Sequence, residues 1–218
     1  MKKHIIFDLD GTLIDSAPSI LESFEQAFSS LKLKPSVAVT ADVIGPPLMP
    51  ILAKLAGSED KSLLDQLAEN FKAHYDSQGY KKATVYAGVQ ELLESLQKID
   101  VSLYVATNKR HLPTQKIMQH LNWHQFFDGV FALDSYSPPL AAKPLMVERI
   151  MTDFAIATAD TIYVGDRHED GLAADHNQIN FAMVTWGYAD QTDTTLRPSW
   201  LTCPDVKTLH ELLICHED

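Results

Sequence analysis

The chain has 218 residues, of which 45% are apolar and 22% charged, and its 18 basic and 29 acidic residues give a formal net charge of −11. These values, with 9 glycines, 11 prolines and 2 cysteines, exclude collagen-like, disordered and disulfide-scaffold classes. The length allows one large domain, or one domain with a sizeable insertion. The acidity argues against a nucleic-acid partner held by phosphate contacts, although a metal ion or a few placed cations would still let such a chain take an anionic substrate. No apolar stretch approaches the roughly 18 residues of a membrane helix. At the start, Met1-Lys2-Lys3-His4 is followed only by Ile5-Ile6-Phe7 before a run ending in acids. That is not a signal-peptide pattern, and a cytoplasmic location is expected. Cys203 and Cys215 form no CxxC pair and are expected to be reduced bystander thiols.

The first predicted strand is Ile5-Ile6-Phe7. From about residue 15 to residue 84 no strand is expected, but three helical patterns recur. The first begins at Pro18, a favourable first-turn residue, and places Ile20, Leu21, Phe24, Ala27, Phe28 and Leu31 on its apolar positions. The second covers Leu48 to Leu55, after Gly45-Pro46-Pro47. The third carries Leu63, Leu64, Leu67, Ala68 and Phe71 towards Tyr75. Phe24, Phe28 and Phe71 suit the core of this segment better than a substrate box. Strands and helices then alternate. Val89, Leu92, Leu93 and Leu96 share a helical face, followed by a strand from Val101 to Ala106. Leu112, Ile117, Met118 and Leu121 form another face before a strand from Val130 to Leu133. Val147, Ile150, Met151 and Phe154 precede the strand Ile162-Tyr163-Val164, and Phe181 to Val184 is the last predicted strand. Near-continuous apolar strands alternating with amphipathic helices predict an α/β fold, a doubly wound parallel sheet buried on both faces. The expected core is 1–14 and 85–218, with 15–84 a helical insertion after the first strand.

In such a sheet ligands gather at the carboxyl ends of the strands. The first strand ends in Asp8-Leu9-Asp10-Gly11-Thr12, the second in Thr107-Asn108-Lys109, and the fourth in Gly165-Asp166-Arg167-His168-Glu169-Asp170. Lys143-Pro144 lies in the loop before the preceding helix. Singly, each has a bland explanation. Asp-x-Asp-Gly suits a turn, Thr107-Asn108 a helix cap, and Glu169 and Asp170 a helix N-terminus. Together they place several carboxylates, a hydroxyl and an ammonium in one cleft, a like-charge cluster that calls for a cation. An oxygen-rich set of this kind suits Mg²⁺. His168-Glu169 lacks the second His of a zinc protease, since Leu172 stands in its place. His111, His120 and His124 lack convincing ligand spacing, and neither a P-loop nor Gly-x-Ser-x-Gly occurs.

These segments resemble the four ordered motifs of haloacid dehalogenase-like phosphatases, closest to the phosphoglycolate phosphatase-like branch. Asp8 to Ser16 is similar to the first motif, Thr107-Asn108-Lys109 to the second, Lys143-Pro144 to the third and Gly165-Asp166 to Asp170 to the fourth. Ile44-Gly45-Pro46-Pro47-Leu48 resembles the cap loop of that branch, and Tyr86-Ala87-Gly88-Val89 its return to the core. The resemblance implies a Rossmann-like core with a helical cap, and a Mg²⁺-dependent phosphatase acting on a small phosphate monoester such as phosphoglycolate. It implies that Asp8 is the nucleophile and Asp10 the acid and base. Thr107, Asn108, Gly11 and Lys143 would bind phosphate, while Asp8, Asp10 through its carbonyl, Asp166 and Asp170 would hold the metal. Gly45, Pro46 and Pro47 would contribute to specificity. Asp10 and the fourth motif argue against a dehalogenase, and Pro46-Pro47, with no Arg in 15–84, against a β-phosphoglucomutase-like enzyme. A phosphomutase of the same fold, a phosphonatase with a cap lysine and a non-catalytic phosphate-ligand binder remain as alternatives. Departures from the family pattern are Gln178, where a helix-ending Gly is usual, and Leu145-Met146 after Lys143-Pro144.

Overall fold

A computed structural model describes residues 2–188 and 197–214; Cys215 lies outside them. The described chain divides into two compact units, one of residues 1–15 with 85–218 and the other of residues 16–84. In the first unit six strands form a parallel sheet: β1 (His4–Phe7), β4 (Ser102–Thr107), β5 (Gly129–Ala132), β6 (Thr161–Gly165), β7 (Asn180–Val184) and β8 (Leu201–Cys203). Their order is β5-β4-β1-β6-β7-β8, the doubly wound arrangement in which chain order reverses between β1 and β6. The register pairs Phe7 with Val105 of β4 and with Val164 of β6. The carboxyl ends of the three central strands therefore lie side by side at that reversal.

Alternation along the strands sends side chains to opposite faces. Ile6, Tyr104, Ala106, Tyr163, Phe181 and Met183 share one buried cluster with Met146, Val147 and Ile150 of α6 (Lys143–Asp153) and Ala173 and Ala174 of α7 (His168–His176). Their neighbours Ile5, Phe7, Leu103, Val105, Ile162 and Val164 are equally buried. Burial on both sides explains why these strands read as unbroken apolar runs. The remaining helices of this unit are α4 (Val89–Leu96), α5 (His111–His120) and α8 (Val206–Ile214), with α4 and α8 packed on each other. Cys203 is buried and free, and burial pushes its thiol up to about 11, which makes it an inert core residue.

Two details of the expected helices change. Leu112 is exposed, because α5 turns Pro113, Thr114, Ile117 and Met118 inward. Phe154 follows the last turn of α6, and although 40% exposed it packs edge-on against Tyr104 and Phe131. β8 was not expected either, since three residues carry no readable period.

The second unit holds α1 (Ala17–Ser30), α2 (Leu48–Ala56) and α3 (Lys61–Tyr75). Pro18 stands in the first turn of α1, and the Asp60 carboxylate accepts the Ser62 N–H at 2.9 Å to cap α3. Phe24 of α1 lies 4.6 Å ring to ring from Phe71 of α3, which stacks in turn on Tyr75. These aromatics are core, as their spacing suggests. The expectation of no strand over 15–84 fails at its two ends: β2 (Ile14–Asp15) pairs with β3 (Thr84–Val85) where the chain leaves and re-enters the core.

Four helices end in the same hydrogen-bond pattern with a non-glycine residue in the left-handed region: Lys32, Asn122, Ala155 and Gln178, at φ from 52° to 56°. At α7 the Gln178 N–H reaches the Asp175 carbonyl and the Ile179 N–H the Ala174 carbonyl, both at 3.1 Å. This is the turn that Gly usually supplies. Gln178 keeps its geometry at a conformational cost.

Candidate active site

Asp8 is the first residue beyond β1, and its N–H bonds the Val164 carbonyl of β6 at 2.8 Å. That bond prolongs the ladder by one residue and fixes where the carboxylate leaves the sheet. The next residues turn back sharply, with Gly11 N–H on the Ile14 carbonyl at 2.9 Å and Leu13 N–H on the Leu9 carbonyl at 3.0 Å. Gly11 is required here twice over. Its φ is +87°, and a Cβ would stand 2.3 Å from Asp166 Oδ2. Glycine accepts both.

Lys143 stands as the first residue of α6 and not in the loop before it, with Pro144 behind it. Its ammonium lies 3.0 Å from Asp8 Oδ1 and 2.5 Å from Asp170 Oδ1. Asp170 sits in the first turn of α7, where its Oδ2 accepts the Arg167 N–H at 3.0 Å. It therefore caps its helix and holds Lys143 at once. The Tyr163 hydroxyl adds a third donor to Asp170, at 3.3 Å from Oδ1. Asp166 follows β6 and is fully buried; its Oδ2 accepts the Tyr188 N–H at 2.7 Å and its Oδ1 the Thr12 hydroxyl at 3.4 Å.

Asp8, Asp166 and Asp170 each offer an oxygen within 4.8 Å of the others, and all three are buried. Three carboxylates share the ammonium of Lys143, with the Arg167 charge acting on Asp166, so negative charge is in excess. The groups register this strain. Burial pushes the Asp8 carboxyl up to about 7, Lys143 draws it back down, and the charges of Asp170 and Asp10 raise it further. Burial likewise pushes Asp166 up to about 8, with Asp170 and Asp8 adding to the rise. Burial works against the charge of Lys143, but Asp170 and Asp8 hold its pKa well above the usual lysine value. An all-oxygen set with negative charge in excess fits a divalent metal ion.

Asp10 is buried as well, but its carboxylate belongs to a different pair. Its Oδ2 lies 3.0 Å from the ammonium of Lys109, whose side chain is 5% exposed. Thr107, at the end of β4, does not cap α5. Its hydroxyl accepts the Lys109 N–H at 3.2 Å, and the N-terminus of α5 is met by Asp134, which takes the His111 N–H at 2.7 Å. Asn108 is half-buried between Thr107 and Lys109. The structure thus gathers Asp8, Gly11, Lys143, Asp166 and Asp170 in one buried cluster and joins Asp10 to the segment after β4. Gly45, Pro46 and Pro47 belong to the other unit, where Gly45 has φ +108° and Pro47 precedes α2.

Three features escaped the sequence. Lys109 and Tyr163 were visible but had no assigned partner, because Asp10 is about a hundred residues from Lys109 and Asp170 lies seven residues from Tyr163 across a strand-to-helix turn. The third is the segment after β7, which carries no motif. Trp186 Nε1–H donates to the Thr12 carbonyl at 3.1 Å, the Tyr188 hydroxyl to Asp15 Oδ1 at 2.7 Å, and the Tyr188 N–H to Asp166. A Cβ on Gly187 would meet the Gly11 carbonyl at 2.3 Å and Asp166 Oδ2 at 2.4 Å. Trp186-Gly187-Tyr188 is therefore laid directly on the turn after β1. The signal for it in the sequence is the strand end at Val184, where ligands would gather as at the other strand ends.

Comparison with known proteins agrees with this geometry. Residues 5–184 match the family model of the haloacid dehalogenase-like hydrolases. A 5'-nucleotidase of Pseudomonas aeruginosa is 26% identical over 98% of this chain and 96% of its own length. A phosphoglycolate phosphatase of Vibrio vulnificus is 30% identical over 85% of each chain. Among solved structures, a haloacid dehalogenase-like family hydrolase of Streptococcus pneumoniae superposes with a TM-score of 0.82 at 27% identity, over 97% of both chains. The chain belongs to the haloacid dehalogenase-like hydrolases, in their phosphoglycolate phosphatase-like branch, and is a phosphatase of that family.

Proposed function

We propose that the chain is a Mg²⁺-dependent phosphatase that hydrolyses a small, phosphoglycolate-like phosphate monoester through an aspartyl-phosphate on Asp8. The observation that carries this is the buried Asp8 carboxylate at the end of β1, with Lys143 at 3.0 Å and with Asp166 and Asp170 each offering an oxygen within 4.8 Å of the others and of Asp8. An Asp8 oxygen attacks phosphorus, and the bond from phosphorus to the ester oxygen breaks. The departing alkoxide takes a proton from the Asp10 carboxyl. Asp10, now a carboxylate, takes a proton from a water whose oxygen attacks the same phosphorus. The Asp8–phosphorus bond breaks, and the products are inorganic phosphate, the alcohol and both acids as they began. Lys143 offsets charge on Asp8 and the phosphoryl oxygens, while Thr107, Asn108 and Gly11 bind those oxygens. Asp8, the Asp10 carbonyl and Asp166 would hold the metal, with Asp170 completing the set. When bound, Mg²⁺ supplies the positive charge that lets an anionic nucleophile approach an anionic phosphate.

Residues 15–84 serve in this reading as the specificity segment, with Gly45, Pro46 and Pro47 contributing to selection of the leaving group. The test is release of inorganic phosphate from a panel of metabolite monoesters with Mg²⁺ and with a chelator. Turnover of small monoesters that stops on chelation is expected. Metal-replete protein inactive across the whole panel rules the proposal out.

A further inference from the structure

We propose that Lys109 is a positioning residue for Asp10, and that it sets the rate at which poor leaving groups depart. The inference rests on the phosphatase reading above and adds a role that this reading does not need. Asp10 lies two residues beyond Asp8, outside the sheet, in the turn that runs to Ile14. A carboxylate in such a turn has several staggered side-chain wells open to it, and only some aim an oxygen at a leaving group. Proton transfer is sensitive to that aim, since donor and acceptor must come within hydrogen-bond reach.

The sheet register supplies a holder. Phe7 of β1 pairs with Val105 of β4, so Asp10, three residues past Phe7, comes beside Lys109, four past Val105. The ammonium meets Asp10 Oδ2 at 3.0 Å, and the two side chains are 5% and 9% exposed. Lys109 is itself fixed at its backbone, where its N–H bonds the Thr107 hydroxyl at 3.2 Å. The two ammonium groups divide the site between them. Lys143 attends Asp8 and Asp170, and Lys109 attends Asp10. An acid aimed by a lysine matters most when the departing oxygen needs a proton, as an alkoxide does. A nitrophenolate leaves readily without one.

Lys109→Met keeps the length of the stem and removes the charge, and Lys109→Arg keeps the charge. Both are to be compared with the wild type, with Mg²⁺ present, on an alkyl phosphate and on p-nitrophenyl phosphate. The quantity read is kcat/KM, which reports the steps through leaving-group departure. For Lys109→Met the alkyl ester is expected to lose about 10- to 100-fold, at or below the usual contribution of a general acid. The aryl ester is expected to lose only a few-fold, and Lys109→Arg should recover part of the alkyl activity. Equal losses on the two esters would overturn the proposal, as would a rise in KM with kcat unchanged, which would make Lys109 a substrate-binding group. A thermal melt of each variant identifies a folding defect, and Lys109→Arg then carries the comparison. Wild-type protein inactive on both esters would instead remove the phosphatase reading, and the role of Lys109 with it.

Discussion

Replacing Lys143 by Met removes the ammonium that lies 3.0 Å from Asp8 and 2.5 Å from Asp170, while a stem of similar length stays in place. The side chain is only 6% exposed, so water does not replace the lost charge. Asp8, Asp166 and Asp170 are then three buried carboxylates facing one another with only the Arg167 charge acting on Asp166 to offset them. Removing one partner of a buried pair in this way costs about 3–5 kcal/mol. For a chain of this size that corresponds to a fall in Tm of about 6–20 °C.

The sign with pH follows from the raised carboxyls. Their folded values, about 7 for Asp8 and about 8 for Asp166, exceed the unfolded value near 4. The penalty for ionising them in the fold is thus full above those values and disappears as pH falls towards the unfolded value. Losing Lys143 enlarges the penalty. Thermal melts of metal-free wild type and variant should therefore differ most near pH 8.5 and converge near pH 5. Added Mg²⁺ should raise the Tm of the variant at pH 8.5 more than that of the wild type. A gap of the same size at both pH values, or none at all, would refute the argument that uncompensated negative charge governs this site.

Three further outcomes are expected. For the wild type, the rise in Tm on adding Mg²⁺ should be larger at pH 8.5 than at pH 6, because protons on Asp8 and Asp166 compete with the ion below about 7–8; an equal or opposite trend counts against those carboxylates as ligands. Gly187→Ala forces a methyl group to within 2.4 Å of Asp166 Oδ2, so the Mg²⁺ concentration for half-maximal phosphate release should rise severalfold, and an unchanged value means that Trp186-Gly187-Tyr188 does not set the position of Asp166. Gln178→Gly and Ala155→Gly relieve left-handed backbone at φ +56° and +52° and should each add roughly 0.5–1 kcal/mol in urea unfolding, whereas a loss would show that contacts of the side chains outweigh the strain.

Much of the site was legible in the sequence because it is written locally. Asp8 and Asp10 are two residues apart at a strand end, and Asp166 and Asp170 are four apart across a strand-to-helix turn, so short-range geometry places each pair. Strands buried on both faces announce themselves as apolar runs, which made the strands of Phe7, Val105 and Val164 readable, though not their order in the sheet. What could not be read depends on that register. Lys109 meets Asp10 only because β4 lies beside β1, and Tyr163 meets Asp170 and the Ala106 carbonyl only because β6 faces the first turn of α7. Local preference also misleads where packing overrides it. The family pattern has Gly at the end of α7, yet Gln178 adopts that left-handed conformation, and Ile179 after it returns to the core, where it is 6% exposed. Leu112 is apolar and exposed because the inward face of α5 begins one residue later.

The assignment of Asp8 as the nucleophile is tested most directly by the kcat/KM for phosphate release from the best monoester at saturating Mg²⁺, wild type against Asp8→Asn. Loss of at least roughly 10³-fold is predicted, since the step that forms the aspartyl-phosphate has no substitute. An Asp8→Asn protein that releases phosphate at near wild-type efficiency would contradict the account.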